Sequence, residues 1–192
     1  MLTTVLGLAY ILLEYRASIW LWVVGFLMQS LGIVLYYQKG LYADCGMEFY
    51  FLVMTIYGFF RWIRKPASGE KKQSRYIDIT HFPFKYAVIW TLITLLAWGC
   101  LYLFLVKCTD SRVPLADSFT TALSFVGIWA LARKYLEQWL IWLVVDVVTC
   151  ALYFYKDIPF KASLYGLYIV IAIAGYLKWK KQMKLQSSRR RY

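Results

Sequence analysis

Asp146 and Gln29 are strong polar side chains set in the middle of long apolar runs, and they lie 117 positions apart. A carboxylate at the centre of a hydrocarbon span costs about 2.5–3.5 kcal/mol on insertion scales, so intramembrane acids default to substrate or ion sites. Trp139, Trp142 and Asp146 stand at i, i+3 and i+7, which places them on one helical face. Aromatic rings beside one carboxylate suit a flat organic cation. The rings stack or make cation–π contacts of about 0.5–2 kcal/mol, and the carboxylate balances charge or accepts hydrogen bonds. Trp22 matches Trp139 in the first half of the chain, and Tyr36, Tyr50 and Tyr57 add phenols, as do Tyr37, Tyr153, Tyr165 and Tyr168. The candidate substrate-binding set is therefore Trp139, Trp142, Asp146, Gln29, Trp22, Tyr36, Tyr50 and Tyr57. The competing reading is structural: a helix–helix hydrogen bond for Asp146 and Gln29, and an interfacial aromatic belt for Trp62, Trp179 and Trp139 near span ends.

The elements that would position these residues follow from a repeat. Residues 3–65 and 120–182 are the same segment written twice, 117 positions apart without a gap. Trp22 pairs with Trp139, Tyr36 with Tyr153, Lys39 with Lys156, Gly58 with Gly175 and Trp62 with Trp179. Apolar runs predict seven transmembrane helices at about 2–15, 19–37, 46–62, 84–106, 115–132, 138–155 and 160–179, since a span takes roughly 20 mostly apolar residues. The first span lacks a positive leader region and has a repeat partner in the fifth, so it is expected to stay as a helix. Two triplets flank one extra helix, a 3+1+3 arrangement. The odd helix restores a common direction, so the repeat is parallel, with its axis along the membrane normal and a substrate site between the halves. In residue terms, 1–65 is the first triplet with the start of a loop and 66–113 holds a basic loop and the linker helix. Residues 114–182 are the second triplet, and 183–192 form a basic tail.

With 61% hydrophobic and 20% aromatic residues, the 192-residue chain is too apolar for a soluble domain of about 45–50%. All spans are expected to be α-helical, giving an all-α integral membrane protein. Of 22 Lys and Arg, seventeen fall on one side of the predicted membrane and five on the other. The positive-inside rule then places the C-terminus in the cytoplasm and the N-terminus outside. These charges border spans, so a net charge of +12 reads as attraction to anionic lipid headgroups, not to nucleic acid.

Several chemistries are not encoded. There is no phosphate-binding G-x-x-x-x-G-K-[ST] motif, and one histidine, His81, supports no Ser/His/Asp or Cys/His set. Cys45, Cys100, Cys108 and Cys150 form no C-x-x-C pair and read as small packing residues. The chain is read as neither an enzyme nor a metal or cofactor protein. Asp44 and Glu48 at the outer mouth read as helix-start acids.

Leu41-Tyr42-Ala43-Asp44, Ile56-Tyr57-Gly58-Phe59-Phe60-Arg61-Trp62, Trp139-x-x-Trp142-x-x-x-Asp146, Tyr155-Lys156-Asp157 and Gly175-Tyr176-Leu177-Lys178-Trp179 resemble, in order and spacing, motifs of the PnuC family of vitamin transporters. Phe59 stands where the family usually has Trp, and Asp146 stands where some members have an amide. The resemblance implies a seven-helix fold related to the SWEET sugar transporters. It also implies facilitated uptake, as a uniporter, of an unphosphorylated vitamin across the bacterial inner membrane, with trapping by a cytoplasmic kinase. Nicotinamide riboside is the first expected substrate and thiamine the second, with riboflavin carried by other relatives. Both of the first two are cationic aromatics, like the solute deduced from the residues. The expected partners are that small cationic vitamin, the lipid bilayer and the kinase, with a homo-oligomer open. The rival class is a non-transporting receptor or assembly subunit docked through the basic face.

Overall fold

The computed structural model describes residues 2–63, 77–109 and 113–189. The loop charges Arg64, Lys65, Lys71, Lys72, Arg75 and Arg112 and the tail residues Arg190 and Arg191 lie outside these. Seven helices are described: α1 Leu2–Tyr15, α2 Trp20–Gln38, α3 Tyr42–Ile63, α4 Ala87–Cys108, α5 Pro114–Ala132, α6 Gln138–Tyr155 and α7 Pro159–Arg189, with a short 3-10 turn, Phe84–Tyr86, leading into α4. Five segments are long and apolar enough to cross a membrane, namely α2, α4 with its preceding turn, α5, α6 and α7. Helix α1 has only 14 residues, and α3, which carries Asp44, Glu48 and Arg61, falls short of that apolarity.

Two boundaries differ from the sequence expectation. Helix α3 begins at Tyr42, before the apolar run, with Asp44 in its first turn, where an acid opposes the positive helix end. Helix α7 continues ten residues past Trp179 because Lys180–Arg189 holds good helix formers and no Gly or Pro.

The 117-residue offset is written into the backbone as well. Four described residues have left-handed φ: Ala17 at 51°, Lys134 at 59°, Gly40 at 70° and Asp157 at 59°. Each member of the pairs Ala17/Lys134 and Gly40/Asp157 is 117 positions from the other. The helix-ending bond Leu41 N–H to Tyr36 O, 2.9 Å, recurs as Ile158 N–H to Tyr153 O, 2.9 Å. These are left-handed C-terminal stops, which satisfy carbonyls the helix leaves open.

The structured chain divides into two compact units. The first contains α1–α3, the segment reaching Thr80, Leu131–Tyr135 and the chain from Lys178 on. Its densest part is aromatic. Trp22 meets Trp62 edge-on at 5.4 Å, and Trp62 lies 6.4 Å from Trp179. The indole N–H of Trp62 donates to Leu131 O at 3.3 Å, and that of Trp179 donates to Glu14 O at 3.2 Å. Both donors are fully buried, so neither Trp62 nor Trp179 is the belt residue that its place near a span end suggests. Lys134 is also buried. Its ammonium sits 4.4 Å from the Trp62 ring centroid and donates to Ile77 O at 2.9 Å. Thr80 N–H donates to Lys134 O, and Ile79 N–H to Gln186 Oε1, so residues 77–80 are strapped onto this end of the unit.

The second unit contains His81–Ala130 and Leu136–Leu177. Helix α4 is held to α5 by Trp90 on Trp129, at 3.8 Å, and by Trp98, which donates to Leu115 O and packs on Phe119. None of its residues is buried, as suits a helix whose faces meet lipid. Glu137 accepts from Phe82 N–H at 2.8 Å and pairs with His81 Nδ1 at 2.7 Å, while the His81 side chain stays 63% exposed.

Candidate functional site

Helix α6 carries three of the expected site residues, and each points to a different neighbour. Trp139 is buried with its ring on Gly175 of α7, where a Cβ would fall 2.6 Å from Cη2. Only glycine leaves room for an indole at that approach. Trp22 is likewise buried against Gly58 of α3, 117 positions earlier, and makes the same demand. These two tryptophans therefore knit helices together within their own units. Trp142 is half-buried against Gly127 of α5, with Cζ2 3.1 Å from the place a Cβ would take. Its Nε1 has no hydrogen-bond partner among the described residues.

Asp146 lies one turn beyond Trp142, at the middle of α6, and is only 6% exposed. Its carboxylate makes no hydrogen bond or ion pair among the described residues. A buried charge without a protein partner is the costly arrangement that structural networks avoid.

Tyr168 belongs to a line of rings. Tyr165 sits one turn away on the same face of α7, with centroids 5.5 Å apart in a T-shaped contact. Tyr165 in turn stacks on Tyr153 of α6 at 5.4 Å, with planes 29° apart. Tyr153 is two turns of α6 from Asp146, about 10 Å along the axis. The two helices are held at this level by Cys150 Sγ, which donates to the carbonyl of the fully buried Ala162 at 3.2 Å. At the α6–α7 connection the line ends among charges. Lys161 Nζ stands 5.1 Å from the Tyr153 centroid, and Lys156 pairs with Asp117 at 2.9 Å.

The remaining candidates belong to the first unit. Gln29 is half-buried near the centre of α2, Tyr36 and Tyr50 are half-buried, and Tyr57 is exposed on α3. Glu48 packs against Gly32, one turn from Gln29. One polar group escaped the sequence reading. Gln138 is fully buried, and its amide has no hydrogen-bond partner among the described residues. At the first position of a helix, a glutamine reads as an ordinary exposed end residue.

Known proteins match this chain along nearly its whole length. The family described as "Nicotinamide mononucleotide transporter" matches residues 1–181. The nicotinamide riboside transporter PnuC of Escherichia coli (strain K12) is 23% identical over 97% of this chain and 86% of its own length. The riboflavin/roseoflavin transporter RibM of Streptomyces davaonensis is 28% identical over 93% of this chain and 83% of its own. Among solved structures, the crystal structure of the vitamin B3 transporter PnuC superimposes with a TM-score of 0.71 at 21% identity, covering 95% of this chain and 80% of that one.

Proposed function

This chain belongs to the nicotinamide mononucleotide transporter family, and from that premise we propose that it is a uniporter for a flat, cationic, unphosphorylated vitamin, with nicotinamide riboside as the first substrate. The family is one of transporters, and the protein is a multi-pass protein of the bacterial inner membrane. The observation that carries the substrate reading is Asp146: a mid-helix carboxylate, buried, with no ion-pair partner among the described residues. A cationic ring supplies that partner. A carboxylate that ionises beside a bound cation favours nicotinamide riboside or thiamine over a neutral flavin, although a riboflavin/roseoflavin transporter is among the relatives.

In this reading Trp142 stacks on the substrate beside Asp146, and Gln29, Tyr36, Tyr50 and Tyr57 stay as further candidate substrate residues. Trp139 and Trp22 hold the helices that present it. The organisation is two parallel triplets, 1–65 and 114–182, around the linker region 66–113, with the tail 183–192 and the C-terminus in the cytoplasm. The paired left-handed stops and the paired glycine–tryptophan contacts support that repeat. A cytoplasmic kinase would trap the vitamin by phosphorylating it.

Uptake of labelled nicotinamide riboside, thiamine and riboflavin into liposomes enclosing the matching kinase tests this reading. Accumulation of a cationic vitamin above empty liposomes is expected, with loss of binding in Asp146→Ala and retention of the folded protein. Uptake of riboflavin alone, or unchanged affinity in Asp146→Ala, refutes it.

A further inference from the structure

We infer that Tyr153, Tyr165 and Tyr168 form an access path along which an aromatic cation moves between the α6–α7 connection and Asp146, an inference that rests on the substrate reading above. The rings are in sequence: Tyr153 stacks on Tyr165, Tyr165 meets Tyr168 edge-on, and Tyr153 lies on α6 two turns beyond Asp146. Successive rings at 5.4 and 5.5 Å offer a π-face or edge at each step, so a flat solute exchanges one ring contact for the next without losing both.

The outermost ring shows what this path accepts. The Lys161 ammonium already stands over Tyr153 at 5.1 Å, within the range of a cation–π contact. An arriving cationic ring competes with that ammonium for Tyr153, and Lys161 is exposed, free to swing away on its flexible stem. Lys161 is therefore a gatekeeping residue that a substrate displaces.

The path belongs to one half of the repeat. Residues 117 positions before Tyr153, Tyr165, Tyr168 and Lys161 are Tyr36, Glu48, Phe51 and Asp44. Only the first keeps a phenol, so the ladder is not a by-product of the repeated scaffold.

A path residue alters how fast the site fills and empties, and leaves the depth of the site unchanged. In proteoliposomes, Tyr165→Leu should lower kcat/KM for the cationic vitamin by about three- to tenfold, the size of one lost aromatic contact. The loss should be equal in both directions, because a passive uniporter cannot favour one. The Kd of the detergent-solubilised protein should stay within twofold, and Tyr165→Phe should behave as wild type. Lys161→Gln should raise kcat/KM. Wild-type flux in Tyr165→Leu overturns the path, as does a parallel loss of flux and affinity in Tyr165→Leu that Tyr165→Phe shares. Failure of the substrate reading looks different: Asp146→Ala would then bind the vitamin like wild type, whatever the tyrosine variants do.

Discussion

Trp62 and Trp179 lie with ring centroids 6.4 Å apart, and their indole N–H groups donate to the last turns of α5 and α1, at Leu131 O and Glu14 O respectively. Donors and acceptors are both related by the 117-residue offset. Replacing one tryptophan by phenylalanine keeps most of the ring and removes one of the two donors each carbonyl accepts from, with Lys134 N–H left on Leu131 O at 2.8 Å and Ala17 N–H left on Glu14 O at 2.9 Å, a cost of about 0.5–1.5 kcal/mol. Trp62→Phe and Trp179→Phe should each lower the Tm of the detergent-solubilised protein. The double variant should fall short of the sum, because adjacent residues couple. Strict additivity in a thermal-shift titration would show the two bonds to be independent.

The glycines can be ranked from the space around them. At Gly175 a methyl would strike the buried Trp139 ring, and at Gly25 it would press Tyr10 at 3.1 Å. At Gly99 it would meet nothing within 4 Å. Gly175→Ala should therefore destabilise by about 1–3 kcal/mol, as overpacking does. Gly25→Ala should cost less, and Gly99→Ala should be neutral or raise Tm by helix propensity. Equal Tm values for Gly175→Ala and Gly99→Ala would contradict the observed contact.

Burial pushes the Lys134 ammonium down from 10.5 to about 8, with the Asp78 carboxylate acting in the opposite direction. Between those values the unfolded chain holds a proton that the folded chain has released. Stability should therefore rise as pH goes from about 8 to 10.5 and stay flat below, by up to about 3 kcal/mol from this group. Lys134→Met should remove that rise in a Tm-versus-pH series. A wild-type slope in the variant would place the titration elsewhere.

The Lys156–Asp117 pair is close, at 2.9 Å, but its side chains are 27% and 31% exposed. A pair this wet contributes about 0–1 kcal/mol. Lys156→Gln should shift Tm by little more than the error of the measurement, and a drop of several degrees would mark the pair as part of a larger network.

Helix count and most boundaries were legible in the sequence because hydrocarbon allows few solutions: a run such as Gln138–Tyr155 must be a helix, and its ends are set by charge and turn residues. The candidate site was legible only in part. Asp146 announced itself through the cost of its position. Trp139 and Trp142 share a helical face by spacing, yet one is taken by Gly175 and the other lies on Gly127. Spacing gives the direction of a side chain along its own helix, not the helix it meets. Trp62 and Trp179 looked interfacial for the same reason, since their carbonyl partners are 69 and 165 residues distant. The tyrosine line was visible as composition, but its order came from the pairing of α6 with α7.

The crossed tryptophan bonds also bear on how such a protein can be assembled. A three-helix segment ending in a buried indole donor, and beginning with a helix whose last turn offers a carbonyl able to accept a second hydrogen bond, is self-complementary. Two identical copies related by a twofold axis would satisfy both bonds at once, which is the definition of an isologous interface. Fusing them into one chain leaves both bonds in place. The covalent link then lets the two copies drift apart in sequence, so that one can acquire Asp146 and Tyr165 while its partner keeps Gln29 and Glu48. Coexpression of the two triplets as separate polypeptides is the corresponding engineering route to a split, reconstitutable carrier.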